Sequence, residues 1–417
     1  MLVENEEPSE ISLPTTLWYS LANLGCGTFF AINNALIGPY LSKFTSNAII
    51  LGLMSNSHSA EGAIIQPLIG GASDRCQSRL GKRRPFMLVF FPLCALFMIV
   101  TPAAATTTAR FRLPLVISCI FLFTLLFNMG FDPYQALMPD ITPPKQREKV
   151  TAVWTLFGLA GQILILFLPV SINIAIVLSA VLLILTLIAT LFTVNEKPTQ
   201  SLPPSTSLGK TLRISLQGLK LLKQARMALG IYFAAGLSIG AVLPFLTEFV
   251  IHITHCSTPT AAQMFIMLMV FTAIGVPIAG KISVKTSTVT LLMLGLGLIL
   301  LAALAGLFVK TIHEIIFVMV LAGLGNGAQS VASYPLITKL VPEEEVGFYT
   351  GLQSTAASIA QPLIVTLTGY FINIGSYRVI FGVCSFGLLI ALLLLTRIRM
   401  SYATDEIMLR RLEIESA

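Results

Sequence analysis

The sequence predicts an all-α membrane protein: twelve transmembrane helices in two six-helix pseudo-repeat bundles, with both termini cytoplasmic. Three observations point there. Hydrophobic residues make up 55% of the 417 and charged residues 11%, against about 25% charged in a soluble domain, and the mean hydropathy is +0.85. The apolar residues gather in twelve runs, each near the roughly 20 residues a helical span needs, without the alternation of barrel strands. Lys and Arg concentrate in every second loop, the pattern of cytoplasmic loops.

The first run, 16–40, carries Asn33-Asn34 and closes on Pro39-Tyr40-Leu41. The second, 48–72, ends in Gly70-Gly71-Ala72, small residues that let neighbouring helices approach closely. The third, 85–105, opens on Pro85, and the fourth, 113–138, ends among Pro133 and Pro139. The fifth and sixth, 150–171 and 173–194, are nearly continuous, with Pro169, Ser171 and Asn173 supplying the break. Six more follow at 227–251, 259–280, 286–308, 314–338, 346–373 and 377–396. The chain then reads as a tail 1–15, a bundle 16–194, a Pro/Ser/Thr-rich and basic linker 195–226, a second bundle 227–396 and a tail 397–417. The acidic start, Met1–Glu10, lacks the basic region of a cleavable signal peptide, so the first span is expected to insert uncleaved.

With the N-terminus inside, 21 of the 26 Lys and Arg fall on the cytoplasmic side. The net charge of +7 therefore reads as topology, with the bilayer as partner and no nucleic acid. The six cysteines form no CxxC and suggest neither a disulfide framework nor a metal site.

The halves are weak repeats. A shift of 199 places Thr151 on Thr350 and Gln162 on Gln361, and Pro39-Tyr40-Leu41 recurs as Pro244-Phe245-Leu246. Two six-helix units around a midplane site suit a transporter.

Between spans two and three runs Gln66-Pro67-Leu68-Ile69-Gly70-Gly71-Ala72-Ser73-Asp74-Arg75, then Arg79, Lys82-Arg83-Arg84 and Pro85-Phe86. Asp74 with Arg75, Arg79, Arg83 and Arg84 is a candidate conformational latch, an ion-pair set made in one state and broken in another; the plainer alternative is a topological anchor. This loop resembles the signature of the major facilitator superfamily. Its longer form is similar to the sucrose–proton symporters and the glycoside–pentoside–hexuronide:cation symporter branch with its bacterial relatives. Asp132-Pro133-Tyr134-Gln135-Ala136-Leu137-Met138-Pro139-Asp140 resembles the fourth-span motif of that branch. Tyr334, Pro342, the run Val346–Gly351 and Gln361 resemble its tenth-to-eleventh-span signature. The resemblance implies the major facilitator fold and solute transport without a cofactor. Two positions depart from the pattern: Gln135 stands where the branch has an intramembrane arginine, and Glu61 where relatives have a small or hydroxylic residue.

Ionisable residues inside spans default to function. Glu61 lies about 15 Å along the second span from Gly71, at 1.5 Å per residue, and His58 shares its face one turn earlier. Asp132 lies in the inner half of the fourth span. All basic residues lie in loops or at span ends, so Asp132, Glu61 and His58 are the candidate proton-coupling groups, with sodium as the alternative ion. A structural hydrogen-bonding role competes for each. Glu248 and Glu314 fall near outer span ends and read as solvated.

A sugar hydroxyl needs both donors and acceptors, which amides supply. Asn33, Asn34, Gln66, Asn128, Gln135, Gln162, Asn326, Gln329 and Gln361 are the candidate substrate-binding residues, each equally suited to an interhelical hydrogen bond. Trp154 and Tyr334 could stack on a sugar face or simply pack.

The leading reading is a secondary active transporter, a monomer of the plasma membrane or a bacterial inner membrane, that symports a sugar or glycoside with a proton by alternating access. A carrier of nucleosides, amino acids or drugs is the alternative, and a transport-inactive solute sensor a more distant one. A membrane-embedded enzyme would need a clustered nucleophile, metal or acid–base set, and His58, His252, His255 and His313 are scattered.

Overall fold

The computed structural model describes residues 11–143, 146–194, 196, 223–338 and 346–415. Every regular element among them is helical. The chain divides into two compact units, Met1–Ser205 and Thr206–Ala417.

In the first unit, α1 (Leu13–Ala31) starts on Ser12, whose hydroxyl accepts from the Thr15 amide. It runs into a wider π-helical turn, Ile32–Leu36, and then α2 (Ile37–Leu41). Pro39 has no N–H to donate four residues back, and the turn that must absorb this holds Asn33 and Asn34. Next come α3 (Ala48–Ser55), α4 (Ser57–Asp74), α5 (Arg84–Ala104), α6 (Ala109–Ile141), α7 (Arg147–Phe167) and α8 (Ile172–Thr193). The α7–α8 break falls around Pro169, and Ser171 caps α8 by accepting from the Ile174 amide.

The second unit contains α9 (Lys223–Val242), a 3-10 turn at Leu243–Phe245 and α10 (Leu246–Thr254). It continues through α11 (Thr258–Ser283), α12 (Thr288–Gly306), α13 (Ile312–Thr338), α14 (Val346–Ile374) and α15 (Val379–Glu415). Pro244 lies inside this second interruption, and Pro39 lies three residues past the first. Interrupted helices at matching places in two halves point to a transporter's working region.

The packing repeats as well. In the first unit α1 lies against α7 and α8, α6 against α4 and α5, and α5 against α8. In the second, α9 lies against α14 and α15, α13 against α11 and α12, and α12 against α15. Taken by order along each unit, the pairs correspond one to one. Close approach of α1 and α7 depends on missing side chains: a Cβ on Gly161 would lie 2.0 Å from the Leu24 carbonyl oxygen. Gly70 and Gly71 do not serve this purpose, since no described atom lies within 4 Å of a Cβ added to either. Among the described residues no close approach is made there.

Ten described helices are long and apolar enough to cross a membrane. On α8, Val181, Leu185, Ile188 and Phe192 are exposed, and their three- and four-residue spacing lines one face. Such a stripe suits lipid tails, and the chain is a multi-pass membrane protein.

Candidate functional site

Helices α4 and α6, with the π-helical turn after α1, gather a buried polar cluster in the first unit. On α6, Thr124, Asn128 and Asp132 follow at four-residue steps and so share a face. The Thr124 hydroxyl lies 2.9 Å from Glu61 Oε1 and accepts from Ser57 Oγ at 3.1 Å. Asn128 Nδ2 donates to the His58 carbonyl at 2.8 Å. His58 Nδ1 lies 2.6 Å from Asn33 Oδ1, and its Nε2 lies 3.3 Å from Ser59 Oγ. The amide oxygen only accepts, so Nδ1 carries the proton and Nε2 accepts from Ser59. Glu61 is 7% exposed, Asn33 fully buried and Asn128 3% exposed.

Three atoms here have no hydrogen-bond partner among the described residues: Asn33 Nδ2, Glu61 Oε2 and Asp132 Oδ2. One is a donor and two are acceptors. Buried polar atoms are normally paired, and an orphan costs on the order of 1–3 kcal/mol. Neither carboxylate pairs with a Lys or Arg among the described residues. Pro133 follows Asp132 directly and breaks the helical ladder there.

Asn33, His58, Glu61 and Asn128 therefore come together, with Asp132 one turn from Asn128. Asn34 is half-buried beside Asn33, Gln162 is half-buried on α7, and Gln135 is exposed. The side chain of Gln66 lies outside the described residues, as does that of Tyr334. In the second unit, Asn326 donates to Thr272 Oγ1 at 3.3 Å. Asn326 and Gln329 border a cavity of about 310 Å³ whose other walls include Leu268, Ile299, Phe381 and Leu388. Gln361 is half-buried on α14. Trp154 stacks on Phe131 with centroids 6.2 Å apart, within an aromatic row that continues through Phe127 to Phe29. Its ring face is thus used in packing.

The α4–α5 loop forms a second constellation. Arg83, 6% exposed, pairs with Asp74, donates to Ser73 Oγ and reaches Asp140 Oδ2 at 3.0 Å. Lys82 Nζ meets Asp140 Oδ1 at 2.9 Å. Arg84 donates to the Leu191 carbonyl. The Glu196 carboxylate accepts from the backbone amides of Lys82, Arg83 and Arg84 at 2.9–3.2 Å, at the N-terminus of α5. Anions are favoured at such helix starts. Arg75 and Arg79 are exposed. Of the five latch candidates, Asp74, Arg83 and Arg84 enter this network, which also uses Ser73, Lys82, Asp140 and Glu196.

Glu248 departs from the solvated reading: it is 2% exposed, with Oε2 3.7 Å from His252 Nε2. It lies in the first turn of α10, just after the 3-10 turn. His252 stacks on Tyr377 at 4.4 Å. Burial, with Glu248 nearby, pushes the Tyr377 hydroxyl pKa upward. Glu314 is exposed and forms a capping box with Thr311: its carboxylate accepts from the Thr311 amide at 3.1 Å, and its own amide donates to Thr311 Oγ1 at 3.4 Å.

Repeated helical units, an apolar stripe suited to lipid and a buried polar cluster among the helices define a polytopic membrane protein. The chain belongs to the Major Facilitator Superfamily, whose sequence profile matches residues 19–312 and 228–406. The Membrane-associated transporter protein of Homo sapiens is 26% identical over 168 residues, 37% of this chain and 32% of that protein. Sucrose transport protein SUC3 of Arabidopsis thaliana is 26% identical over 152 residues, 32% of this chain and 25% of that protein. Proton-associated sugar transporter A of Mus musculus is 27% identical over 161 residues, 35% and 21% respectively. The matched stretch thus spans about a third or less of each relative's length. A mutant form of the nucleoside transporter NupG shares the fold, with a TM-score of 0.74 at 10% identity over 92% of this chain and 99% of that one.

Proposed function

We propose that the chain is a proton-coupled symporter of a sugar or glycoside, working as a monomer by alternating access. In this reading twelve spans cross the plasma membrane, or the inner membrane of a bacterium, and both termini are cytoplasmic. The observation that carries it is the orphan set in the first unit: one buried amide donor on the π-helical turn and two buried carboxylate acceptors, one on α4 and one on α6. A sugar hydroxyl both donates and accepts, so such a set suits it. The relatives named for sugar transport support the solute class.

Glu61 and Asp132 are the proton carriers of this reading. A desolvated carboxylate without a cation gains by taking up a proton. Protonated from the outer side, Asp132 offers an O–H donor to the solute and Glu61 becomes a neutral carboxyl; after the site opens inward, water returns and the proton leaves with the solute. Coupling follows if the solute binds best to the protonated form. Asn33 and Asn128 hold His58 at its ring and backbone, fixing the α4 face that carries Glu61. Asn34, Gln66, Gln135, Gln162, Asn326, Gln329 and Gln361 complete the proposed set of solute contacts.

The test is an uptake screen in proteoliposomes across radiolabelled sugars, nucleosides and amino acids, under an imposed pH gradient and separately a sodium gradient. Accumulation of a sugar or glycoside under the pH gradient supports the proposal. Accumulation of nucleosides or amino acids alone, or of any solute under sodium alone, contradicts it.

A further inference from the structure

Thr124 is fully buried, and its one hydroxyl stands among four polar groups. Oγ1 lies 2.9 Å from Glu61 Oε1, 2.9 Å from the Ile120 carbonyl and 3.0 Å from the Phe121 carbonyl. It also accepts from Ser57 Oγ at 3.1 Å. A hydroxyl has one proton and two lone pairs, so three acceptors compete for one donor.

The competition maps onto the two protonation states of Glu61. With the carboxylate ionised, Thr124 donates to Oε1 and accepts from Ser57. With Glu61 protonated, the carboxyl O–H donates to Thr124 Oγ1. The Thr124 proton then turns to the Ile120 or Phe121 carbonyl, the back-bond a helical threonine ordinarily makes. Ser57 also has a second acceptor, the Met54 carbonyl at 3.1 Å. Thr124 Oγ1, Ser57 Oγ and Glu61 Oε1 each keep a partner in either state, and the change needs only hydroxyl rotations.

We propose that Thr124 is the positioning residue for the coupling proton: its hydroxyl switches between Glu61 and the α6 backbone and so sets when Glu61 takes up and releases a proton. This rests on the reading of Glu61 as a proton carrier. The other titratable groups near it are few. His58 shares α4, with Asp74 at its far end, and α6 adds Cys119, Asp132 and Tyr134, five, eight and ten residues from Thr124, with Asp140 beyond them. The α3 segment adds none, and Arg110 and Arg112 sit at the far end of α6.

The experiment is an infrared pH titration of the Glu61 carboxyl stretch in the purified full chain, with Glu61→Gln as the blank. Thr124→Val keeps the shape and removes the hydroxyl. Both protonation states lose a bond, but one to a charged group is roughly twice as strong, so the ionised form loses more. The midpoint should move to higher pH by about 0.5–1 unit. Thr124→Ser should overlay the parent, and Thr124→Ala serves as a second hydroxyl-free variant. A parental midpoint in Val and Ala, or an equal shift in Ser and Val, overturns the proposal. The titration involves no solute, so it is separable from the transport reading. If Glu61→Gln retained full pH-gradient-driven uptake, the symport role of Glu61 would fail, while the titration would still decide whether Thr124 controls its proton.

Discussion

The Glu196 carboxylate occupies the space a side chain at position 81 would need: a Cβ on Gly81 would lie 2.3 Å from Glu196 Oε2. Gly81 also has φ +99°, a conformation other residues rarely adopt. The segment just after α8 and the start of α5 thus meet across one glycine. Gly81→Ala should combine backbone strain with displacement of the carboxylate and cost about 2–4 kcal/mol. Thermal unfolding in detergent should show a clearly lowered midpoint, and Glu196→Gln a smaller loss in the same direction. An unchanged midpoint in Gly81→Ala would show that this contact does not hold the loop.

Asp140 is paired more completely than Asp74. It receives both Lys82 and Arg83 and its side chain is 22% exposed, whereas that of Asp74 is 48% exposed. Exposed pairs contribute about 0–1 kcal/mol. Under the latch hypothesis, Asp140→Asn and Arg83→Gln should slow solute exchange by roughly tenfold, about 1.4 kcal/mol in the barrier. Asp74→Asn should slow it less, and Arg79→Gln should stay within about twofold. Equilibrium solute affinity should stay within a few-fold throughout. A hundredfold affinity loss with unaltered exchange would remove the latch.

Gly161 tests the α1–α7 crossing. A methyl there meets the Leu24 backbone, which cannot rotate aside, so Gly161→Ala should destabilise by about 2 kcal/mol or more. Gly297, with nothing within 4 Å, is the control: Gly297→Ala should stabilise by roughly 0.5–1 kcal/mol, the ordinary helical preference. Equal behaviour in a thermal melt would mean the crossing is not tight.

Orientation has its own check. Single cysteines near Arg110 or within 252–258 should react with an impermeant reagent from outside intact cells. Those near Lys82 or within 200–210 should be protected. The reverse pattern would invert the proposed topology.

The helical segments were legible because apolar runs of span length leave few alternatives, and the repeat because Pro39-Tyr40-Leu41 and Pro244-Phe245-Leu246 both sit at chain interruptions. That Asn33 occupies a π-helical turn was not legible; composition says nothing about how a helix absorbs the missing proline donor. The charged loop announced itself, but its partners were harder to see. Asp140 lies 66 residues beyond Asp74, and Glu196 sits where the apolar run gives way to the linker, so only folding brings them to Arg83. Thr124 escaped notice because a hydroxyl hides in an apolar run. The four-residue spacing of Thr124, Asn128 and Asp132 was the available signal. Glu248 reads as solvated by its place near a span end, but the fold buries it at the start of α10.

In the proposed cycle, Glu61 and Asp132 carry the proton that drives accumulation. The most direct measurement compares pH-gradient-driven sugar accumulation with sugar exchange at equal pH in proteoliposomes of the parent, Asp132→Asn, Glu61→Gln and the double variant. The account predicts that the double variant loses accumulation while retaining exchange, with Asp132→Asn already impaired in accumulation alone. Full pH-gradient-driven accumulation in the double variant would contradict it.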